Sequence, residues 1–195
     1  PISSKAILQN EQDVRISLPG QCYSIKDSTR HKKQLETSEI LRIYVPKGGE
    51  FELVLADGTR VWMNSETELK FPRAFTGDKR QVELVSGEAY FEVESDPEHP
   101  FIVQTDGVEV SAVGTAFNVE AYRNDSIVAV TMAIGKVNVS LGKQRVFSLV
   151  SGERMGYNVN TSSCRIEQID PYKWYAWKDG ALVFRNDPLE YVFKK

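Results

Sequence analysis

Three glutamates, Glu88, Glu92 and Glu94, lie close together in one short segment with Tyr90 among them. Two carboxylates held about 5–9.5 Å apart are the equipment of a glycosidase. A plainer reading competes with this one. Ala89, Phe91 and Val93 take the intervening positions, so the polar set would line the solvated outer face of a strand whose other face is core. Metal chemistry has little to work with, since His31 and His99 are the two histidines and stand far apart in sequence. Near spacings such as i, i+4 are what a zinc site on one helix face needs. Cys22 and Cys164 form no CxxC motif; they are either two free thiols or one long-range disulfide. His99, between Glu98 and Pro100, reads as a strand-entry residue. Too few His and Cys exist for a closed metal cage, and no metal or organic cofactor is expected.

Two further clusters could bind rather than react. Tyr172, Trp174, Tyr175 and Trp177 could form a platform for a partner or a sugar, because aromatics give large contact area at low entropic cost. Packing of a linker against a neighbouring domain is the preferred reading, as exposed clusters of this size are uncommon. Arg60, Lys70, Arg73, Lys79 and Arg80 surround Phe71-Pro72 and could meet an acidic partner, but scattered charges are usually solvated surface.

The elements that must position these residues are strands. Val occurs 21 times and Ala 11 times in 195 residues, and aromatics are 10%. β-branched and aromatic side chains suit a pleated, half-buried surface. Phe51, Leu53 and Leu55 alternate up to Asp57-Gly58, a type I′ hairpin signal, and Thr59, Val61 and Met63 alternate on the return. The same grammar recurs around Ser86-Gly87, Asp106-Gly107, Gly135, Gly142 and Ser151-Gly152. The predicted core is Phe51, Leu53, Val82, Leu84, Phe91, Val93, Phe101, Val103, Phe117 and Val119. Residues 1–47 show weaker strands at Ile7-Leu8, Val14-Ile16, Cys22-Ile25 and Leu41-Val45, with 26–38 an exposed loop. The predicted fold is mainly β: a twisted sandwich or roll, with a β-solenoid-like stack as the alternative. After Pro171 the character changes. Ala181-Phe184 reads as a short strand after Asp179-Gly180, and Asp187, Pro188 and Glu190 open a helix whose apolar stripe is Leu189, Val192 and Phe193.

Charge argues against one class. Lys plus Arg total 24 and Asp plus Glu 27, a net charge of −3, without the basic excess of a nucleic-acid binder. No apolar run approaches the ~18 residues of a membrane span, and no signal segment opens the chain. The chain begins at Pro1 without an initiator Met, so it reads as a processed or cut product in which any upstream targeting or anchoring segment would be missing.

From Val45 onward the chain resembles the periplasmic part of the FecR family of anti-sigma factors, in the form common in gut Bacteroidetes. The strings that carry this are VPKGGEFELVLADGTRVWMNSETELKFP (45–72), RQVELVSGEAYFEVESDPEHPFIVQT (80–105), VSAVGTAFNVEAY (110–122), GKVNV (135–139), LVSGERMGY (149–157) and WKDGALVFRNDPLEYVFKK (177–195). They stand in the family's order, with Met63 where Leu is usual. The resemblance implies residues 48–170 as an all-β FecR domain behind the 1–47 segment. It implies 171–195 as a linker plus the first strand and helix of a truncated βαβ domain.

It also implies a non-enzymatic role. A cytoplasmic segment holds an extracytoplasmic-function sigma factor, an upstream span anchors the protein in the inner membrane, and the periplasmic part meets the signalling domain of a TonB-dependent outer-membrane transporter. Trp177, Leu182, Phe184, Leu189, Val192 and Phe193 are the implied partner-binding residues, and a stripe short of its later strands could pair chains into a dimer. Some relatives self-cleave at a Gly-Thr like Gly114-Thr115, the Thr hydroxyl attacking the preceding carbonyl; a turn Gly followed by a strand Thr is the plain alternative. Outside the family, fold class and aromatics would also suit a carbohydrate-binding β-sandwich.

Overall fold

The period-two alternation becomes strands along nearly the whole chain. In this computed structural model residues 7–8, 23–24, 39–142, 145–181 and 183–184 are described. Fifteen strands form among them: β1 (Ile7–Leu8), β2 (Tyr23–Ser24), β3 (Ile40–Tyr44), β4 (Phe51–Val54), β5 (Arg60–Met63), β6 (Glu68–Pro72), β7 (Arg80–Glu92), β8 (Phe101–Thr105), β9 (Val108–Ala112), β10 (Ala116–Ala121), β11 (Ile127–Ile134), β12 (Lys136–Leu141), β13 (Arg145–Val150), β14 (Glu153–Asn158) and β15 (Ser163–Gln168). One short helix, α1 (Tyr172–Tyr175), runs into a 3-10 turn at Ala176–Asp179. The expected strand at Val14-Ile16 and the helix after Asp187 lie outside the described residues.

The sheet is open and curled, and β7 is its hinge. Arg80–Glu83 pair in parallel with Phe101–Gln104 of β8, while Glu83–Ser86 pair with β6 on the other edge. Past Gly87 the same strand pairs with β10 and β5 instead. One wing therefore runs β13-β12-β9-β8-β7-β6-β3-β1 and the other β2-β4-β5-β7-β10-β11-β14-β15. Gly87 makes the bend possible. Its φ is +99°, and a Cβ there would overlap Thr67. Thr67 Oγ1 takes the amide proton of Glu88 at 2.9 Å and lies 3.0 Å from its carbonyl, which closes the corner.

The core lies between the two wings. Of the ten predicted core residues, nine are buried and Phe51 is partly buried against them. Phe91 stacks on Phe117 with centroids 5.3 Å apart, and Phe101 closes on Phe91 at 6.0 Å. The β4–β5 hairpin differs in detail from the type I′ expectation. Gly58 donates to Leu55 O and Leu55 donates to Thr59 O, and Gly58 takes φ +94° while Asp57 is not left-handed. This is a type I turn followed by a left-handed glycine bulge. The side chain of Asp57 explains the choice, because its oxygens accept from Thr59 N at 3.0 Å and Thr59 Oγ1 at 2.7 Å.

Two expectations are corrected. The strand placed at Ala181-Phe184 is absent from Ala181, Val183 and Phe184. Gly180 is left-handed and caps the 3-10 turn, and Ala181 N donates back to Ala176 O at 3.1 Å, so Ala181 closes the helical turn instead of starting a strand. The outer face of β7 is the second correction. Glu88 and Tyr90 are each 3% exposed rather than solvated, because α1 and the 3-10 turn lie across them. Glu92 is half-buried and Glu94 exposed.

Candidate functional site

Successive strands of the second wing place Trp62 (β5), Tyr90 (β7), Asn118 (β10), Thr131 (β11) and Arg154 (β14) in one row on the outer face. The C-terminal segment crosses this row. Tyr175 packs on Tyr90 with centroids 4.9 Å apart, and Trp62 meets Tyr90 edge-on at 5.8 Å. Trp174 covers the Arg154 guanidinium at 3.8 Å from the ring centroid. Lys178 Nζ sits 5.2 Å from the rings of Trp62 and Tyr90 and 6.0 Å from that of Tyr175, inside an aromatic cage.

At the centre of the joint is the buried carboxylate of Glu88. Its Oε1 accepts from Asn118 Nδ2 at 2.9 Å and from Trp177 Nε1 at 3.0 Å, and its Oε2 accepts from Asn64 Nδ2 at 2.7 Å. Three donors on a buried carboxylate are what such a group requires. A carboxylate so engaged is not poised for acid–base work on a sugar, and Glu92 instead approaches Arg60 at 3.8 Å. Burial raises the Tyr90 hydroxyl pKa well above its ordinary value, and the charge of Glu92 adds to this.

Other expected sites resolve differently. Gly114 takes φ +62°, and a Cβ there would come 2.9 Å from Ser95, so the turn itself demands glycine. Thr115 is buried, and its hydroxyl has no hydrogen-bond partner among the described residues. His99 precedes β8 and bonds Asp96 through Nδ1 at 2.9 Å, which holds the Asp96 carboxyl below the usual carboxylate range. The basic stretch does not act as a patch. Arg60 pairs with Glu52, Lys70 with Glu83 and Arg73 with Glu39. Arg80 is buried, donating to Asp57 at 2.7 Å and to the carbonyls of His99 and Glu94. Cys164 is a free thiol whose pKa burial raises; Cys22 lies outside the described residues. No three His, Cys, Asp or Glu among the described residues stand together as a metal site.

Of the residues expected to bind a partner, Trp177 is buried in the joint and Phe184 is 42% exposed; Leu182, Leu189, Val192 and Phe193 lie outside the described residues. Sequence reasoning missed Asn64, Asn118 and Lys178. Asn118 carried a signal, since Asn between Phe117 and Val119 in a strand is disfavoured unless its amide is spoken for.

A curled open sheet with an aromatic–carboxylate joint at its C-terminal end defines a mainly β domain. The sequence profile described as "FecR protein" matches residues 42–138. Two crystal structures of a candidate anti-sigma factor from Parabacteroides distasonis ATCC 8503 resemble the chain. One, at 2.50 Å, has a TM-score of 0.72 at 36% identity, covering 79% of this chain and 71% of the other. The second, at 1.65 Å, has a TM-score of 0.71 at 36% identity, covering 77% and 70%. No curated protein matches the chain. This chain belongs to the FecR family of anti-sigma factors.

Proposed function

We propose that the chain is the periplasmic sensor portion of a membrane-anchored anti-sigma factor. It relays a signal from a TonB-dependent outer-membrane transporter to an extracytoplasmic-function sigma factor. The observation that carries this reading is the likeness to the candidate anti-sigma factor from Parabacteroides distasonis, which spans most of both chains. A sigma factor is the partner that family membership implies. The transporter's signalling domain is the partner assigned to the C-terminal residues, and Phe184 is the described one that offers an exposed ring. Binding by strand addition would use backbone groups, with side chains such as this ring giving specificity.

Titration calorimetry of the chain against the signalling domain of a transporter encoded beside it tests the reading. Binding in the micromolar range, weakened at least tenfold (about 1.4 kcal/mol) by Phe184→Ala, is expected. Binding that ignores Phe184 moves the contact to the β-body, and no binding at 100-fold higher concentration removes the transporter from the scheme.

A further inference from the structure

The joint between the C-terminal segment and the sheet is held by a few directional contacts and opposed by unpaired groups beneath it. Only Ala176 and Trp177 of the segment are buried, and α1 has no buried residue. Its hold comes from the Trp177 indole N–H on Glu88, the Lys178 cage and Trp174 over Arg154, beside a small apolar cluster of Tyr90, Ala116 and Trp177 on which Tyr175 packs. Asn118 Nδ2 also reaches Trp174 O at 3.3 Å. Below these contacts, Asn118 and Thr131 are fully buried, yet Asn118 Oδ1, Thr131 Oγ1 and Arg154 Nε find no hydrogen-bond partner among the described residues. These three side chains are neighbours in one row across β10, β11 and β14. Leaving buried polar atoms unpaired is costly, and lifting the segment lets water satisfy them.

We propose that residues 172–180 are a releasable latch. The Trp62–Tyr90–Glu88 face beneath them is a peptide site for a segment offering an indole N–H and an ammonium group, filled in cis by Trp177 and Lys178. The carboxylate accepts the indole proton and the rings hold the cation, so the site reads the Trp-Lys pair by chemistry rather than by bulk. A partner that grips the chain beyond Ala181 would draw both groups out together. The latch does not depend on which protein that partner is.

Hydrogen exchange on the whole chain tests it. Amides of Trp174, Ala176, Gly180 and Ala181 are bonded within the segment and report its opening. In the wild type they exchange through a local opening, faster than those of β7 and β10. Lys178→Ala and Trp177→Phe speed their exchange at least tenfold and leave β7 unchanged. Thr131→Val, which removes an unpaired hydroxyl while keeping the shape, slows it severalfold. A labelled peptide of residues 170–181 binds the Trp177→Phe/Lys178→Ala chain but not the wild type, whose own segment blocks the site. Segment amides that exchange only with global unfolding, or no response to Thr131→Val, refute the latch. Equal peptide binding to both chains, or none to either, refutes the site.

Discussion

Replacing Asp57 with Ala removes the counter-charge of a guanidinium that is itself almost fully buried. The Arg80 side chain is 4% exposed and that of Asp57 11%. Arg80 Nη1 donates to Asp57 Oδ2 at 2.7 Å and to Glu94 O at 2.9 Å, Nε donates to His99 O at 2.7 Å, and Nη2 already lacks a partner among the described residues. The two carbonyls would remain in the variant, but no negative charge would. Breaking a buried pair by removing one partner costs about 3–5 kcal/mol, against about 0–1 kcal/mol for an exposed pair. The bonds from Asp57 to Thr59 would be lost as well, at about 1 kcal/mol each. Together these make an expected loss of about 5–7 kcal/mol, of which the stranded charge is the larger part. Asp57→Asn preserves the Oδ1 acceptor for Thr59 but turns an NH2 toward Arg80, so it should fall within about 1 kcal/mol of Ala. Arg80→Met in the Asp57→Ala background removes the stranded charge and should recover about 2 kcal/mol relative to additivity. Urea denaturation followed by tryptophan fluorescence gives the midpoints, with unchanged slope as the condition for comparison. A shift below about 1 kcal/mol for Asp57→Ala would mean that water reaches the pair and that its burial is illusory.

Gly58→Val should destabilise the β4–β5 hairpin by about 1–3 kcal/mol, because a β-branched residue is strained at φ +94°; an unchanged urea midpoint would reject the bulge. Tyr90 and Tyr122 have pKa values raised by burial above the ordinary 10.0. The folded form holds those protons more tightly, so stability is intact below pH 10.0 and falls as pH rises beyond it; a stability curve flat from pH 9 to 11 contradicts this. The Gly114 turn accounts for glycine without invoking cleavage, so intact mass spectrometry should find one 22.0 kDa species on prolonged incubation, and fragments ending at Gly114 and starting at Thr115 would reverse that assignment.

The core was legible because burial on one face leaves a period-two trace. Phe91, Val93, Phe117 and Val119 alternate with polar neighbours and are buried as that trace requires. The same trace misled at Glu88 and Tyr90. Alternation says which face is apolar, not what later covers the polar one, and here the cover comes from Trp177, far along the chain. Arg80 was misread for a related reason. A cation among other cations looks like surface until the fold brings Asp57 from another hairpin against it. The lack of strand at Ala181, Val183 and Phe184 shows the weakness of short apolar runs, since Gly180 could begin a strand or, as it does, cap a helical turn.

The choice of a carboxylate at the centre of the joint follows from what a releasable contact must do. An apolar seam would hold the segment more simply, but once opened it would expose a sticky patch to every other chain. A face built on Glu88, Asn64, Asn118 and Arg154 can be wetted when the segment leaves, so both states are tolerable in water. The cost of keeping such groups buried is what makes the closed state shallow. The donors also set selectivity, because a segment lacking the indole N–H leaves one lone pair of Glu88 unpaired, a loss that shape alone cannot recover. Polar geometry around a small apolar cluster thus gives the joint a weak hold and a narrow choice of occupant, two properties that an extended hydrophobic seam does not combine.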